Sequence, residues 1–296
     1  ILNDNKDLKP LDNDLRELFK SWFNPGFLKL TKITWDTKAA VLEKIIQYER
    51  VHKIKDMNEL KRRLGEDRRF FSYFHPALDD EPIIFVQVAL TNGLGKSIQE
   101  IMKPTTGNEK KYDTATFYSI SNCQEGLTRV TLGNFLIKRV VYEIQEELPN
   151  IKNFGTLSPI PGFRDWFTTL DEGVIQNILG KIPYSTVSFL RSSSLKVGDG
   201  RIVSNKKAIT KLVAHYLMNE KNKKDLPIND VCRFHLGNGA IIEDIVINAN
   251  VSEVGFNRSF GVMVNYLYEL KNIEKNHEDY VNNKNIIISD KLKKLI

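Results

Sequence analysis

Three stretches near the start of the chain carry apolar residues at helical spacing. Leu11 to Phe23 has apolar positions three or four residues apart, and Asn24-Pro25-Gly26 ends the pattern. Thr37 to Arg50 repeats this spacing, and Asp56 to Leu64 is shorter and more highly charged. All three segments are therefore predicted to be helices.

Segments rich in β-forming residues follow these helices. Arg69 to Phe74 is aromatic and alternating, Pro82 to Thr91 is apolar and β-branched, and Thr114 to Asn122 is again rich in β-formers. These patterns are typical of strands, and the continuous apolar run indicates a buried strand. The polar residues 92–113, rich in Gly and Lys, are predicted to form a loop.

The next segment predicts a helix between two strands. Cys123 to Asn134 is a connection with two glycines, Asn134 to Leu148 is an amphipathic helix that Pro149 ends, and Ile151 to Leu157 is a short strand. This order predicts a βαβ unit with parallel strands and a right-handed crossover. The start of the helix and Ser158 would then lie at one edge of the sheet, where open α/β sheets bind ligands.

The rest of the chain is less regular. Residues 164–226 are predicted to be mainly helical and connecting, and Ala240 to Val246 a strand. Phe256 to Leu270 is predicted to be a helix, and the charged tail to be helical in parts. A helix would turn Tyr266 and Tyr268 to different sides, so packing is the expected role of both.

Composition narrows the class of protein. The 296 residues are 41% apolar and 27% charged, which suits a globular core and excludes global disorder. No stretch approaches the roughly 18 continuous apolar residues of a membrane span, so we expect a soluble chain with no membrane partner. A net charge of +6 suits an anionic ligand but lacks the concentrated basic stripe of a nucleic-acid binder. With only two cysteines, Cys123 and Cys232, a reducing compartment is expected. The sequence has no Cys/His cluster, so no metal site is predicted.

A loop before the amphipathic helix is the first candidate for chemistry. Thr128 to Asn134 precedes a helix start, whose free N–H groups and dipole favour a phosphate, and Arg129 could add a charged contact. An ordinary βα turn that needs Gly133 for its backbone explains the same residues. The loop matches neither GxxxxGK[ST] nor GxGxxG, so ATP and dinucleotide ligands lose support.

A serine and a histidine are the other candidates. Ser158 lies between a strand end and a stiff turn with two prolines, which could hold a side chain accurately. A serine that only caps the turn is the other interpretation, and the GxSxG elbow is absent. His235 is either a hydrogen-bonded core histidine or a functional one. The residues alone leave these alternatives open.

Several segments together resemble the malonyl-CoA decarboxylase family. They are YSISNCQEGLTRVTLGNFLIKRVVYEIQEELPN at 118–150, TLSPIPGF at 156–163, RFHLGNGA at 233–240 and VMVNYLYEL at 262–270. SWFNPGFL, ITWDTKAAVLEKI and FFSYFHPALDDEPIIFVQVALT fit the same family earlier in the chain. The resemblance runs in order over nearly the whole sequence.

The resemblance implies an α/β (α+β) fold. It is the mixed twisted sheet of GNAT acetyltransferases flanked by helices, with a short helical N-terminal remnant. Residues 1–23 would be the end of an N-terminal helical domain or a linker, and residues 24–296 the GNAT-like catalytic domain. Most of the helical domain would precede residue 1. The full-length protein is expected to be a homo-oligomer in the cytoplasm, or in the mitochondrial matrix if a transit peptide preceded residue 1.

The resemblance also implies an activity. Malonyl-CoA would lose CO2 to give acetyl-CoA through a thioester enolate that is protonated at carbon, without a cofactor or metal, because the thioester is itself the electron sink. The catalytic serine and histidine of the family fall on Ser158 and His235, and a functionally implicated tyrosine falls on Tyr268. The acyl-CoA loop falls on seven consecutive residues, Thr128, Arg129, Val130, Thr131, Leu132, Gly133 and Asn134.

One position departs from the family pattern. Thr131 stands where some members have Glu, which puts in doubt any mechanism that needs a carboxylate there. Three alternatives to decarboxylation remain: a CoA-dependent acyltransferase of the same fold, a Ser–His hydrolase, and a non-catalytic CoA-binding module. Fold alone decides between none of them.

Overall fold

A computed structural model of the chain describes residues 6–24, 26–103, 112–127 and 136–296. The chain divides into two compact units. The first comprises Ile1–Leu90, Thr106–Lys111 and Phe117–Ile151, and the second comprises Thr91–Thr105, Tyr112–Thr116 and Lys152–Ile296.

Helices and strands are interspersed along the chain, as expected for the α/β (α+β) class. The helices are α1 (Lys9–Trp22), α2 (Ala39–Tyr48), α3 (Met57–Arg63), α4 (Ile98–Ile101), α5 (Leu136–Glu147), α6 (Phe163–Thr169), α7 (Glu172–Leu179), α8 (Gly200–Ser204), α9 (Lys206–Met218), α10 (Asp230–Gly237), α11 (Glu253–Ser259), α12 (Ile273–Asn283) and α13 (Asp290–Lys293). The strands are β1 (Lys29–Lys32), β2 (Arg68–Phe74), β3 (Pro82–Thr91), β4 (Thr114–Asn122), β5 (Asn153–Thr156), β6 (Ser158–Pro159), β7 (Ile241–Val246) and β8 (Met263–Leu267). Among these described helices, none has the length and apolarity that a membrane crossing requires.

The first unit is built on antiparallel strands. β2 lies between β1 and β3, with Leu30 opposite Tyr73 and Phe71 opposite Val86. β3 and β4 begin and end at the predicted residues, whereas the short polar strand β1 was not predicted. The core forms where the apolar face of α2 packs around Phe70 and Phe85, as its helical spacing requires.

The second unit has β8 as its central strand. Leu267 of β8 is opposite Gly155 of β5 on one side and Ile241 of β7 on the other, and both pairings are antiparallel. β6 continues along the same edge as β5, with Ser158 opposite Val264. The predicted strand over residues 151–157 is confirmed over Asn153–Thr156, and β6 is a further short strand with the same partner that was not predicted.

The predicted helix over Phe256 to Leu270 is wrong. The structure has the short helix α11 and then the strand β8. Phe260 and Gly261 both take positive φ angles, 55° and 79°, which end the helix and redirect the chain. Residues 263–266 are buried throughout, as in a central strand. A run that is buried on both faces, with Asn265 as its one amide side chain, lacks the alternation of apolar and polar residues that distinguishes a strand from a helix.

The predicted loop over residues 92–113 also needs a correction. It contains the single-turn helix α4, whose N-terminus is capped by Ser97, because the Ser97 side chain accepts a hydrogen bond from the Glu100 N–H. This one-turn helix is too short for a helical spacing of apolar residues to show in the sequence, and the polar residues around it are typical of a loop.

Candidate active site

The β5, β6 and β8 strands of the second unit bring four polar side chains to one face. The register places Thr156 opposite Tyr266, and the Tyr268 N–H donates to the Phe154 carbonyl at 2.8 Å, so the pairing continues past the end of β8. Side chains alternate along a strand and opposite residues share a face. Thr156, Ser158, Tyr266 and Tyr268 therefore point to the same side.

His235 reaches this face from the last turn of α10. Its ring stacks on the Tyr266 ring with centroids 4.5 Å apart and an interplanar angle of 26°. His235 Nε2 lies 2.9 Å from Ser158 Oγ, and His235 Nδ1 lies 2.7 Å from the Tyr268 hydroxyl. The structure thus brings together Ser158, His235 and Tyr268, the three predicted site residues that lie outside the acyl-CoA loop.

The hydrogen bonds at this site have a definite direction. Ser158 Oγ donates to Thr156 Oγ1 at 2.8 Å, which uses the single proton of the serine hydroxyl. The bond between His235 and Ser158 must then be donated by Nε2–H. A neutral imidazole carries one N–H, so Nδ1 accepts from the Tyr268 hydroxyl. The chain of donation runs from Tyr268 through His235 and Ser158 to Thr156.

Burial keeps these groups uncharged. His235 is 3% exposed, and removal from water lowers the pKa of its imidazole from 6.5 to about 3. Burial raises the pKa of the Tyr268 hydroxyl well above its usual value. At neutral pH the histidine is therefore neutral and the tyrosine protonated, which is the state that the direction of the hydrogen bonds requires.

Two contributing residues were missed by the sequence analysis. Thr156 accepts from Ser158 and also from the Tyr266 backbone N–H at 3.2 Å, and Tyr266 supplies the surface on which the imidazole stacks. Both positions follow from a spacing of two along a strand. Thr156 could have been found two residues before Ser158, but Tyr266 could not once its segment was taken as a helix.

A buried asparagine supports the strands from their other face. Asn265 Nδ2 donates to the Thr156 carbonyl at 2.7 Å and to the Gly95 carbonyl at 3.0 Å. Asn265 is 1% exposed, so these bonds replace the water that its amide would otherwise need. They fix the backbone of the residue that accepts from Ser158.

The other reactive side chains of the unit do not form a second centre. Burial raises the pKa of the Cys232 thiol to about 12, so it is not a thiolate at neutral pH. Within residues 6–24, 26–103, 112–127 and 136–296, no group of three or more His, Cys, Asp or Glu side chains could hold a metal ion. The predicted acyl-CoA loop, Thr128 to Asn134, lies outside the described residues.

The second unit is therefore an α/β structure whose sheet presents a buried, uncharged chain of Ser158, His235 and Tyr268 on one face, an arrangement suited to proton transfer. Residues 26–296 match the family model of the malonyl-CoA decarboxylase C-terminal domain, and the chain belongs to this family. The resemblance that the sequence motifs carried is therefore confirmed.

Known proteins agree with this assignment. The mitochondrial malonyl-CoA decarboxylase of Anser anser anser is 37% identical over 311 residues, covering 98% of this chain and 62% of the relative. The chain thus spans about three fifths of the length of that curated relative. The solved malonyl-CoA decarboxylase from Rhodopseudomonas palustris is 40% identical with a TM-score of 0.90, covering 99% of this chain and 72% of that one.

A more distant structure bears on the fold. A GNAT-like decarboxylase solved in complex with isobutyryl-CoA is 14% identical with a TM-score of 0.51, covering 81% of this chain and 98% of that one. At this identity the likeness concerns the fold alone. It confirms the predicted GNAT-like mixed sheet flanked by helices.

Proposed function

We propose that this chain is the catalytic part of a malonyl-CoA decarboxylase, which converts malonyl-CoA to acetyl-CoA and CO2 without a cofactor. The observation that carries the proposal is the directed chain from Tyr268 through His235 to Ser158 in a member of that family. Residues 24–296 would form the catalytic domain, and residues 1–23, which include α1, would be the end of a helical domain or a linker.

The reaction asks the protein for a proton at carbon. The bond between C2 and the carboxylate breaks, CO2 leaves, and the electron pair is shared between C2 and the thioester oxygen. An enolate carbon is a far stronger base than an alkoxide or a phenolate. A buried hydroxyl next to C2 can therefore supply the proton although its own pKa is high.

Ser158 is the group that we assign to this transfer. As the C2–H bond forms, the Ser158 O–H bond breaks, the Nε2 proton of His235 passes to Oγ, and the Tyr268 proton passes to Nδ1. Tyr268 then recovers a proton from solvent. Because the pKa of His235 is about 3, the imidazole acts as a neutral carrier and not as a cationic acid.

The nucleotide end of the substrate would lie on the loop from Thr128 to Asn134. Free N–H groups at the start of a helix favour a pyrophosphate, and Arg129 would add a charged donor. Support for this part comes from the family resemblance. The proton relay needs no carboxylate at Thr131, so the departure from the family pattern at that position is compatible with the proposal.

The direction of donation favours decarboxylation over hydrolysis. A nucleophilic serine donates its proton to a histidine that acts as general base. Here Ser158 donates to Thr156, and the histidine nitrogen that faces Ser158 carries a proton of its own. The serine is therefore arranged to pass a proton on and to be resupplied.

Product analysis with malonyl-CoA as the only substrate tests the activity. We expect acetyl-CoA and CO2 in equal amounts after dialysis against EDTA, with one deuterium in the acetyl methyl group when the reaction runs in D2O. Free CoA with malonate would instead identify a hydrolase. Product only after addition of an amine would identify an acyltransferase, and CoA binding without turnover would identify a binding module.

Variants test the assigned residues. Ser158→Ala and His235→Ala should each lower kcat by about 10²–10³-fold, the range for losing a positioned donor, and leave KM nearly unchanged. Ser204→Ala and His215→Ala are the matched controls, since Ser204 is exposed and His215 stacks on Trp166. Near-normal turnover in either site variant would remove that residue from the mechanism.

Assembly and location complete the proposal. We propose a homo-oligomer for the full-length protein, with malonyl-CoA as its small-molecule substrate and no nucleic-acid partner. The cytoplasm is the proposed compartment. The mitochondrial matrix is the alternative, and the mitochondrial malonyl-CoA decarboxylase of Anser anser anser favours it.

A further inference from the structure

We infer that Asn229 is a positioning residue that sets the distance between Ser158 and His235. The two site residues come from different elements, because Ser158 begins β6 whereas His235 lies on α10. A proton can pass between them only while Oγ and Nε2 stay within hydrogen-bond reach, 2.9 Å in this structure. The inference rests on the proposed function.

Asn229 bonds to both elements at once. Its Oδ1 accepts from the Cys232 N–H at 2.8 Å, which caps the N-terminus of α10. Its Nδ2 donates to the Pro161 carbonyl at 2.9 Å, in the turn that follows Ser158. Asn229 is 2% exposed, so no water competes for either bond.

The segments on either side of this amide are stiff. Pro159 and Pro161 fix their own φ angles, so a displacement of the Pro161 carbonyl is transmitted to Ser158. On the other side, His235 follows Asn229 by six residues of helix, roughly 9 Å at 1.5 Å per residue. A side chain that holds both ends therefore fixes the separation of the reacting groups.

The two bonds of Asn229 can be separated by substitution. Asn229→Ser and Asn229→Asp both keep an oxygen that can cap α10. Neither keeps the amide donor to Pro161, because the serine is too short and the carboxylate has no proton. Tyr216 also donates to the Pro161 carbonyl, at 3.0 Å, and interacts with Asn229, so the turn retains an anchor on α9 in both variants.

Steady-state kinetics test the inference. We expect kcat to fall by between tenfold and about 10²-fold in both Asn229 variants, the cost of misplacing a reacting group by about 1 Å, with KM for malonyl-CoA within about twofold of wild type. The melting temperature should change little in Asn229→Ser, because the helix cap is kept and Tyr216 still donates to the Pro161 carbonyl. It should fall further in Asn229→Asp, which places a buried carboxylate against that carbonyl. Ser252→Ala removes the cap of α11 and is the control: it should lower the melting temperature without lowering kcat.

The ring N–H proton of His235, observed by NMR without substrate, separates this inference from the proposed function. We expect that resonance to shift or to exchange faster in Asn229→Ser. If wild type shows no decarboxylation but the resonance still moves, the positioning role stands and the proposed activity falls. A wild-type kcat and an unmoved resonance in both variants would overturn the inference. So would a loss of kcat that only tracks the loss of melting temperature across the Asn229 and Ser252 variants.

Discussion

Replacing Thr156 with valine tests the direction of the hydrogen-bond chain. Valine has nearly the shape of threonine but can neither donate nor accept. Thr156 is 1% exposed, and its Oγ1 accepts from Ser158 Oγ at 2.8 Å and from the Tyr266 N–H at 3.2 Å. Thr156→Val therefore leaves two buried donors without their acceptor.

The structure predicts how each donor responds. The Tyr266 N–H belongs to the backbone and cannot move far. Loss of its acceptor on Thr156 should therefore cost about 1–3 kcal/mol of folding free energy. Ser158 can turn its O–H toward His235 Nε2, provided that the imidazole proton moves to Nδ1 and donates to Tyr268. This reversal keeps both hydrogen bonds of the imidazole but removes the Nε2 proton that resupplies Ser158. A reversed relay should lower kcat by about 10–10²-fold, less than complete loss of a positioned acid.

The assay compares wild type, Thr156→Val and Thr156→Ser. Thr156→Ser keeps the hydroxyl, so we expect kcat within a few-fold of wild type and the imidazole proton on Nε2. In Thr156→Val, 15N chemical shifts of the His235 ring should place that proton on Nδ1, with KM for malonyl-CoA little changed. A valine variant with wild-type kcat and a protonated Nε2 would refute the assigned direction.

Two further predictions concern the pH dependence of stability and the nucleotide end of the substrate. The folded-state pKa of His235 is about 3 and its ordinary value is 6.5, so only the unfolded chain takes up a proton between these values. Stability should be complete above about pH 6.5 and should fall below it by up to about 1.4 kcal/mol per pH unit. Urea unfolding at pH 7 and pH 4.5 should show a smaller decline in His235→Gln, and equal declines would contradict the burial argument. Arg129→Ala should raise KM for malonyl-CoA by about tenfold with kcat nearly unchanged, while Arg201→Ala serves as the control; an unchanged KM would exclude a phosphate contact by Arg129.

Local patterns predicted most of the fold. β3 and β4 match their predicted ranges because polar turn residues bound each β-forming run. α5 begins and ends within two residues of its prediction because one face is apolar and Pro149 follows it. These signals lie within a few residues of the element that they define, so no tertiary information was needed.

Prediction failed where burial removed the local signal. β8 is buried on both faces, so its sequence shows no alternation, and the break before it depends on two residues with positive φ. The consequence for the site is large. In a strand, the spacing of two between Tyr266 and Tyr268 places both rings on the face that meets His235, whereas a helix would have separated them.

The candidate site was only partly accessible from sequence. The resemblance supplied Ser158, His235 and Tyr268. The structure places His235 Nε2 2.9 Å from Ser158 Oγ and His235 Nδ1 2.7 Å from the Tyr268 hydroxyl. Thr156 and Asn229 carry no comparable signal, because their roles arise from strand register and from the approach of a helix to a turn. The low pKa of His235 is likewise a property of burial that appears only in the folded chain.

The sequence left two interpretations of His235 open, a core residue or a functional residue, and the partners of its ring favour the proposed functional role. A histidine that serves only packing can satisfy its ring with backbone groups, which hold their protons permanently. Here both ring nitrogens meet side-chain hydroxyls, from Ser158 on one side and Tyr268 on the other. A neutral imidazole can accept a proton at one nitrogen as it releases one from the other, so it connects two groups that can each exchange protons. Burial lowers the pKa of His235 and so keeps the ring from becoming a cation, which would hold protons on both nitrogens and interrupt the transfer.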